Sequence, residues 1–109
     1  MSGRATEPGR GIDFARINRA ALAALPALVA RWLPDGFRRG SEWIARNPRR
    51  LDRKPGSFKV NLMTGRWADF AVTAAGASGG DPISLAAYVA AVSQVEAARG
   101  IARMLGLEK

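Results

Sequence analysis

The sequence predicts an α+β domain: an N-terminal helix, a small antiparallel β-sheet and two C-terminal helices. Three observations carry this expectation. Apolar residues recur at helical spacing through residues 14–32 and again after residue 82. Between them, "SFKVNLMTGRWADF" (57–70) alternates apolar and polar residues and contains a turn signal. The chain has 109 residues, the size of one domain with a modest core.

Residues 1–11 contain Gly, Arg and Pro without periodicity and are expected to be a disordered tail, leaving 12–109 as a single domain. Asp13 is a candidate N-cap. Phe14, Ile17, Ala21, Ala24, Leu25, Leu28 and Trp32 form one apolar stripe. Pro26 falls inside that pattern, where its ring would clash with the carbonyl of Leu22, so the helix must kink or restart there. "LPDG" (33–36) is a stop and a turn.

"SEWIAR" (41–46) is a short strand candidate. In 57–62, Phe58, Val60 and Leu62 share one side, and Lys59 and Asn61 the other. "MTG" turns the chain, and "RWADF" (66–70) returns as the partner strand. "AVTAAGASGG" (71–80) reads as a loop of small residues. Asp81 then caps a helix over about 82–92, with Pro82 at its first position, where a missing N–H costs nothing. "SQVE" (93–96) is a capping box for a last helix. Val95, Ala98, Ala102 and Leu105 mark the expected buried face of that helix, which ends at Gly106.

Composition narrows the function. There is no cysteine and no histidine. That excludes a disulfide framework, thiolate metal sites, and Ser-His-Asp or Cys-His catalysis. With no carboxylate cluster either, a hydrolase has little to stand on. No apolar run reaches the length of a membrane span, and "MSGRATEPGRG" has no apolar stretch behind its Arg residues. A cytoplasmic protein is expected.

Net charge is +8, and it is unevenly spread. Residues 1–37 carry five cations and three anions, residues 38–66 nine and two, and residues 67–109 three and four. The central quarter thus holds +7, a pattern that suits a polyanionic partner, most often nucleic acid. A solubilising surface is the plainer explanation. Local pairing could absorb part of the charge, but Glu42, Asp52 and Asp69 are too few for nine cations.

The candidate interface comprises Arg46, Arg49, Arg50, Arg53 and Lys54 from the loop, with Lys59, Arg66 and Trp67 from the hairpin. Arg forks match phosphate oxygens. Two roles are open to Trp67: core packing, which small domains favour, and a platform for stacking bases. The glycines of "GASGGD" (76–81) precede a helix, but no Lys-Ser/Thr pair follows, and Asp81 puts a negative charge where a phosphate would sit. Gly79 and Gly80 therefore read as backbone fit.

The order of motifs resembles the zinc-binding domain at the N-terminus of bacterial and phage DNA primases, over roughly residues 40–106. That family places a Cys-Pro-x-His pair before a Pro-Ser-Phe-x-Val strand. A Gly-x-Trp turn and strand, a Cys-x-x-Cys pair and a Gly-Gly-Asp with an apolar helix then follow. Here "NPRR" (47–50) stands at the first pair, "PGSFKV" (55–60) resembles the strand with Gly56 inserted, "GRW" (65–67) matches the turn, and "GGDPISLAAYV" (79–89) the helix start. "VEAARGIARMLGL" (95–107) resembles the closing helix.

The ligand positions would fall near Asn47, Arg50, Asp69 and Val72, none of them Cys or His. The resemblance is thus to a degenerate, metal-free zinc ribbon, as at the front of phage and plasmid primase–helicase proteins. Structural zinc can supply most of a small domain's folding energy, so something must replace it. Trp43, Phe58, Trp67 and Phe70 are the expected substitutes.

What the resemblance implies is a non-catalytic module that binds single-stranded DNA template. A primase catalytic core or a helicase would be its partner, because the carboxylate-rich polymerising core has no counterpart here. The competing expectation is a protein-interaction module. In that reading the N-terminal helix docks on a replication helicase or primase, or the chain inhibits one. No cofactor is expected. A chelator should leave the melting temperature unchanged, and a clear drop in a thermal melt with EDTA would reveal a metal site built from carboxylates alone.

Overall fold

The computed structural model describes residues 12–48, 56–70 and 78–107. The expected disordered tail (1–11) and most of the basic loop (49–55) lie outside the described residues, as do 71–77 and 108–109. Among the described residues the chain runs α1 (Phe14–Ala23), α2 (Leu25–Trp32), β1 (Phe37–Arg39), β2 (Glu42–Ala45), β3 (Phe58–Asn61), β4 (Trp67–Asp69), β5 (Ser78–Gly79), α3 (Pro82–Ala90) and α4 (Gln94–Met104). It is an α+β fold. The strands form one antiparallel meander in the order β1-β2-β3-β4-β5. No helix among the described residues is long and apolar enough to cross a membrane.

Each helix begins where its local chemistry says it should. The Asp13 carboxylate accepts from the N–H of Arg16 at 3.0 Å. Pro26 does not kink a continuous helix. The helix restarts instead: α1 ends at Ala23, and Pro26 sits in the first turn of α2, where its missing N–H costs no hydrogen bond. Asp81 and Ser84 cap α3 reciprocally, as Ser93 and Glu96 cap α4. α3 stops at Ala90, two residues short of the expected end, because Ala91 turns left-handed at φ 58°.

Two strands escape the sequence reading. Phe37–Arg39 pairs with β2 at the sheet edge, and Ser78–Gly79 pairs with β4. Each is too short to show a period. The β3–β4 turn is held by the Asn61 side chain, whose oxygen accepts from the N–H groups of Met63 and Thr64.

Register divides the sheet into two faces, with two departures in burial: exposed Arg38 stands opposite Trp43 in the inner row, and buried Ile44 opposite Lys59 in the outer one. Trp43, Val60, Trp67 and Gly79 lie in one cross-strand row, and Ala45, Phe58 and Asp69 in another, both on the inner face. The helices cover this face. Phe58, Val60 and Trp67 join Ile17, Leu25, Val29, Leu85 and Ile101 in a single core. The core-facing residues of α4 are Ala97, Ala98, Ile101 and Ala102. Val95, expected on that face, is exposed instead, because the stripe is rotated by a fraction of a turn.

The Trp67 ring sits 5.7 Å from Phe58 and 4.8 Å from Tyr88, and its Nε1 donates to Ser84 Oγ at 3.0 Å. Gly79 lies directly across from it. A Cβ there would stand 2.5 Å from Ser84 Oγ and 2.6 Å from Trp67 Nε1, inside that hydrogen bond. Gly79→Ala should therefore cost about 1–3 kcal/mol, the usual range for overpacking. In urea unfolding this appears as a lowered midpoint, with Gly80→Ala, whose Cβ would meet nothing within 4 Å, as the near-neutral control.

Candidate nucleic-acid interface

Alternation along the strands leaves a second face pointing away from the helices. One outer row runs Phe37, Ile44, Lys59, Ala68 and Ser78 across all five strands. A second holds Arg39, Glu42 and Asn61. Phe70, two residues beyond Ala68, falls on the same face and is 69% exposed. Its N–H donates to Ser57 O at 2.8 Å, which extends the β3–β4 ladder by one step.

Cations lie over both exposed rings. Lys59 Nζ is 5.5 Å from the Phe70 centroid, and Arg39 Cζ is 5.8 Å from that of Phe37. Such cation–π contacts contribute about 0.5–1 kcal/mol when exposed. Beside them opens a concavity of about 430 Å³, lined by Glu42, Lys59, Asn61, Arg66, Phe70 and Ser78 among others. It is wide enough for a nucleobase, with an aromatic wall, two cations and one carboxylate on its rim.

The expected site residues distribute unevenly over this surface. Lys59 and Arg66 border the concavity. Arg46 forms an ion pair with Asp35, a partner eleven positions away that the sequence reading did not consider. Both side chains are partly exposed, so the pair contributes about 0–1 kcal/mol and a phosphate can compete for the guanidinium. Arg49, Arg50, Arg53 and Lys54 lie outside the described residues.

Trp67 is corrected. It is 4% exposed, with its ring among Phe58 and Tyr88, so it packs the core and offers no face to a base. Phe70 is corrected in the opposite sense, being an outer-face residue and not a replacement for metal. Trp43 is half-buried against the core and donates from Nε1 to Leu33 O at 3.1 Å. Sequence reasoning also missed Phe37 and Arg39. The parity of "RWADF" held the signal for Phe70, because residues 67 and 70 are an odd number apart and must face opposite ways.

The positions compared with zinc ligands have their own chemistry. Asn47 and Asp69 are 1% and 2% exposed, and meet although 22 residues apart. Asn47 Nδ2 donates to Asp69 Oδ2 at 2.5 Å and to the Tyr88 hydroxyl oxygen at 2.9 Å. The cluster ties the end of β2 to β4 and to α3. Among the described residues this set offers one carboxylate, and the Asn47 amide presents its N–H side to it, an arrangement that does not suit a cation. Among the described residues no three His, Cys, Asp or Glu side chains come together.

Comparison with family models, curated proteins and solved structures finds no match. Breaking the buried cluster gives a direct check on its role. Asp69→Ala strips Asn47 of its carboxylate acceptor and should lower stability by about 1–3 kcal/mol, the cost of stranding buried polar groups. Chemical denaturation of this variant beside the exposed-face variant Arg39→Ala, which should change little, separates the two roles.

Proposed function

We propose that this domain is a non-catalytic nucleic-acid-binding module that captures single-stranded DNA template for a DNA primase or primase–helicase of the phage or plasmid type. The observation that carries the reading is the outer sheet face, where Lys59 over the exposed Phe70 ring lines the concavity with Arg66, and Arg39 over Phe37 adds a second ring and cation on the same face. Aromatic rings interleaved with cations on an open antiparallel sheet suit unpaired bases and their phosphates. In sequence the basic segment 49–54 falls between the buried Asn47 and Ser57, and Ser57 pairs with Phe70 at that end of the sheet. The motif order from residue 40 to 106 supplies the link to primases.

In this reading Lys59, Arg66 and the arginines of 46–53 neutralise phosphates, and Phe70 takes the stacking role that was one of two open to Trp67. The competing reading, docking through the apolar stripe of the N-terminal helix, loses its surface. Ile17, Ala21, Leu25, Leu28 and Val29 of α1 and α2 are already buried in the chain's own core.

Fluorescence anisotropy of labelled single-stranded and duplex DNA across a salt series tests the proposal. Expected is tighter binding to the single strand, with affinity falling steeply as salt rises. The triple variant Arg49→Glu, Arg50→Glu, Arg53→Glu should abolish binding with the fold intact. Phe70→Ala should weaken it by about 1–3 kcal/mol, the scale of one stacked base. No binding at low salt, or a triple variant with unchanged affinity, would overturn the assignment.

A further inference from the structure

The face of α4 turned away from the core has a symmetry of its own. Glu96, Gly100 and Arg103 follow one another at i, i+4 and i+7 and form a single ridge. This ridge borders an apolar groove of about 340 Å³ between α3 and α4, whose wall includes Trp32, Val89 and Met104. Met104 is 42% exposed at the edge of this groove.

Gly100 has no packing reason to be glycine. A Cβ there would meet nothing within 4 Å, and its backbone is ordinary helix, where glycine costs about 1 kcal/mol against alanine. A glycine in the middle of an outward ridge lets another backbone approach closely.

The charges say which backbone. Positions 96 and 103 are equidistant from a point between Arg99 and Gly100. If a second α4 lies antiparallel across that point, Glu96 of each copy meets Arg103 of the other, and both pairs form at once. Within the chain Arg103 has no carboxylate partner among the described residues. Arg99 is exposed and lies to one side of the ridge, where its head group reaches water. The charge map also permits the approach: residues 67–109 sum to −1, so the cationic block sits elsewhere.

We propose that two copies of this chain associate through α4, antiparallel and two-fold symmetric, crossing at Gly100 with reciprocal Glu96–Arg103 ion pairs and the exposed Met104 buried against the partner. The dimer leaves both outer sheet faces open, because α3 and α4 lie on the opposite side of the sheet. It does not depend on what those faces bind.

Sedimentation equilibrium over a concentration series tests this. The mass should rise from 11.6 kDa toward twice that value. Glu96→Arg and Arg103→Glu should each remain monomeric alone, since each makes the facing charges alike, yet associate when mixed in equal amounts. Because Glu96 also caps α4, Gly100→Glu provides a second variant whose fold is not at risk. It should be monomeric with an unchanged or raised melting temperature, as a long side chain at the crossing keeps the two backbones from closing. A wild-type mass of 11.6 kDa at every concentration overturns the proposal and leaves the groove to a different partner. So does a dimer that persists in Gly100→Glu.

Discussion

The seat of the Trp67 indole between sheet and α3 is the contact on which the domain depends. Its ring joins Phe58 from the neighbouring strand to Tyr88 from the helix, and its one polar atom finds Ser84 Oγ. Ser84 is engaged twice, since it also belongs to the cap that starts α3. One side chain thus fixes where the helix begins relative to the sheet. The space for it exists only because β5 offers a glycine directly opposite. A domain of this size with no disulfide framework has few other ways to hold a sheet against helices, and burying one large aromatic ring contributes about 1.5–3 kcal/mol.

Next to that apolar joint lies a polar one. Asn47, Asp69 and Tyr88 connect the end of β2, the end of β4 and the second turn of α3. Removing a charge from water is costly, so such a cluster is a weak source of net stability. Its value is geometric. A buried amide and carboxylate accept few alternative partners, so the strand ends cannot slip in register without stranding them. Asn47 is also the last buried residue before the basic segment, and Asp69 immediately precedes Phe70. The cluster therefore fixes the strand end from which the exposed Phe70 ring projects.

Which parts of this arrangement the sequence disclosed follows from the range of the interactions involved. Helix starts were readable because a cap is made within three residues: Asp13 with Arg16, Asp81 with Ser84, Ser93 with Glu96. The β3–β4 hairpin was readable because period two is visible over a dozen residues. Phe37–Arg39 was not, since three residues at a sheet edge, all exposed, carry no alternation. The α+β class rests on the first kind of signal. The site rests on the second kind of problem. Whether Trp67 or Phe70 points outward depends on which face the helices cover, and that is decided by contacts tens of residues away. The partner of Arg46 is hidden for the same reason, as nothing near it in sequence singles out Asp35.

The two faces of β3 and β4 also explain how so cationic a surface coexists with a stable core. Phe58, Val60, Trp67 and Asp69 turn inward, while Lys59, Asn61, Ala68 and Phe70 turn outward from the same short strands. An exposed phenyl ring is ordinarily a liability for aggregation. Here each exposed ring on the face lies under a cation, and the edge strand β1 carries two arginines that discourage pairing with another sheet. The same arrangement suits the proposed ligand. On that proposal, a base stacking on Phe70 would take the place of the Lys59 ammonium over the ring and leave the ammonium for the phosphate attached to that base. One weak cation–π contact is exchanged for a stacking contact and an ion pair, with no movement of the strands beneath.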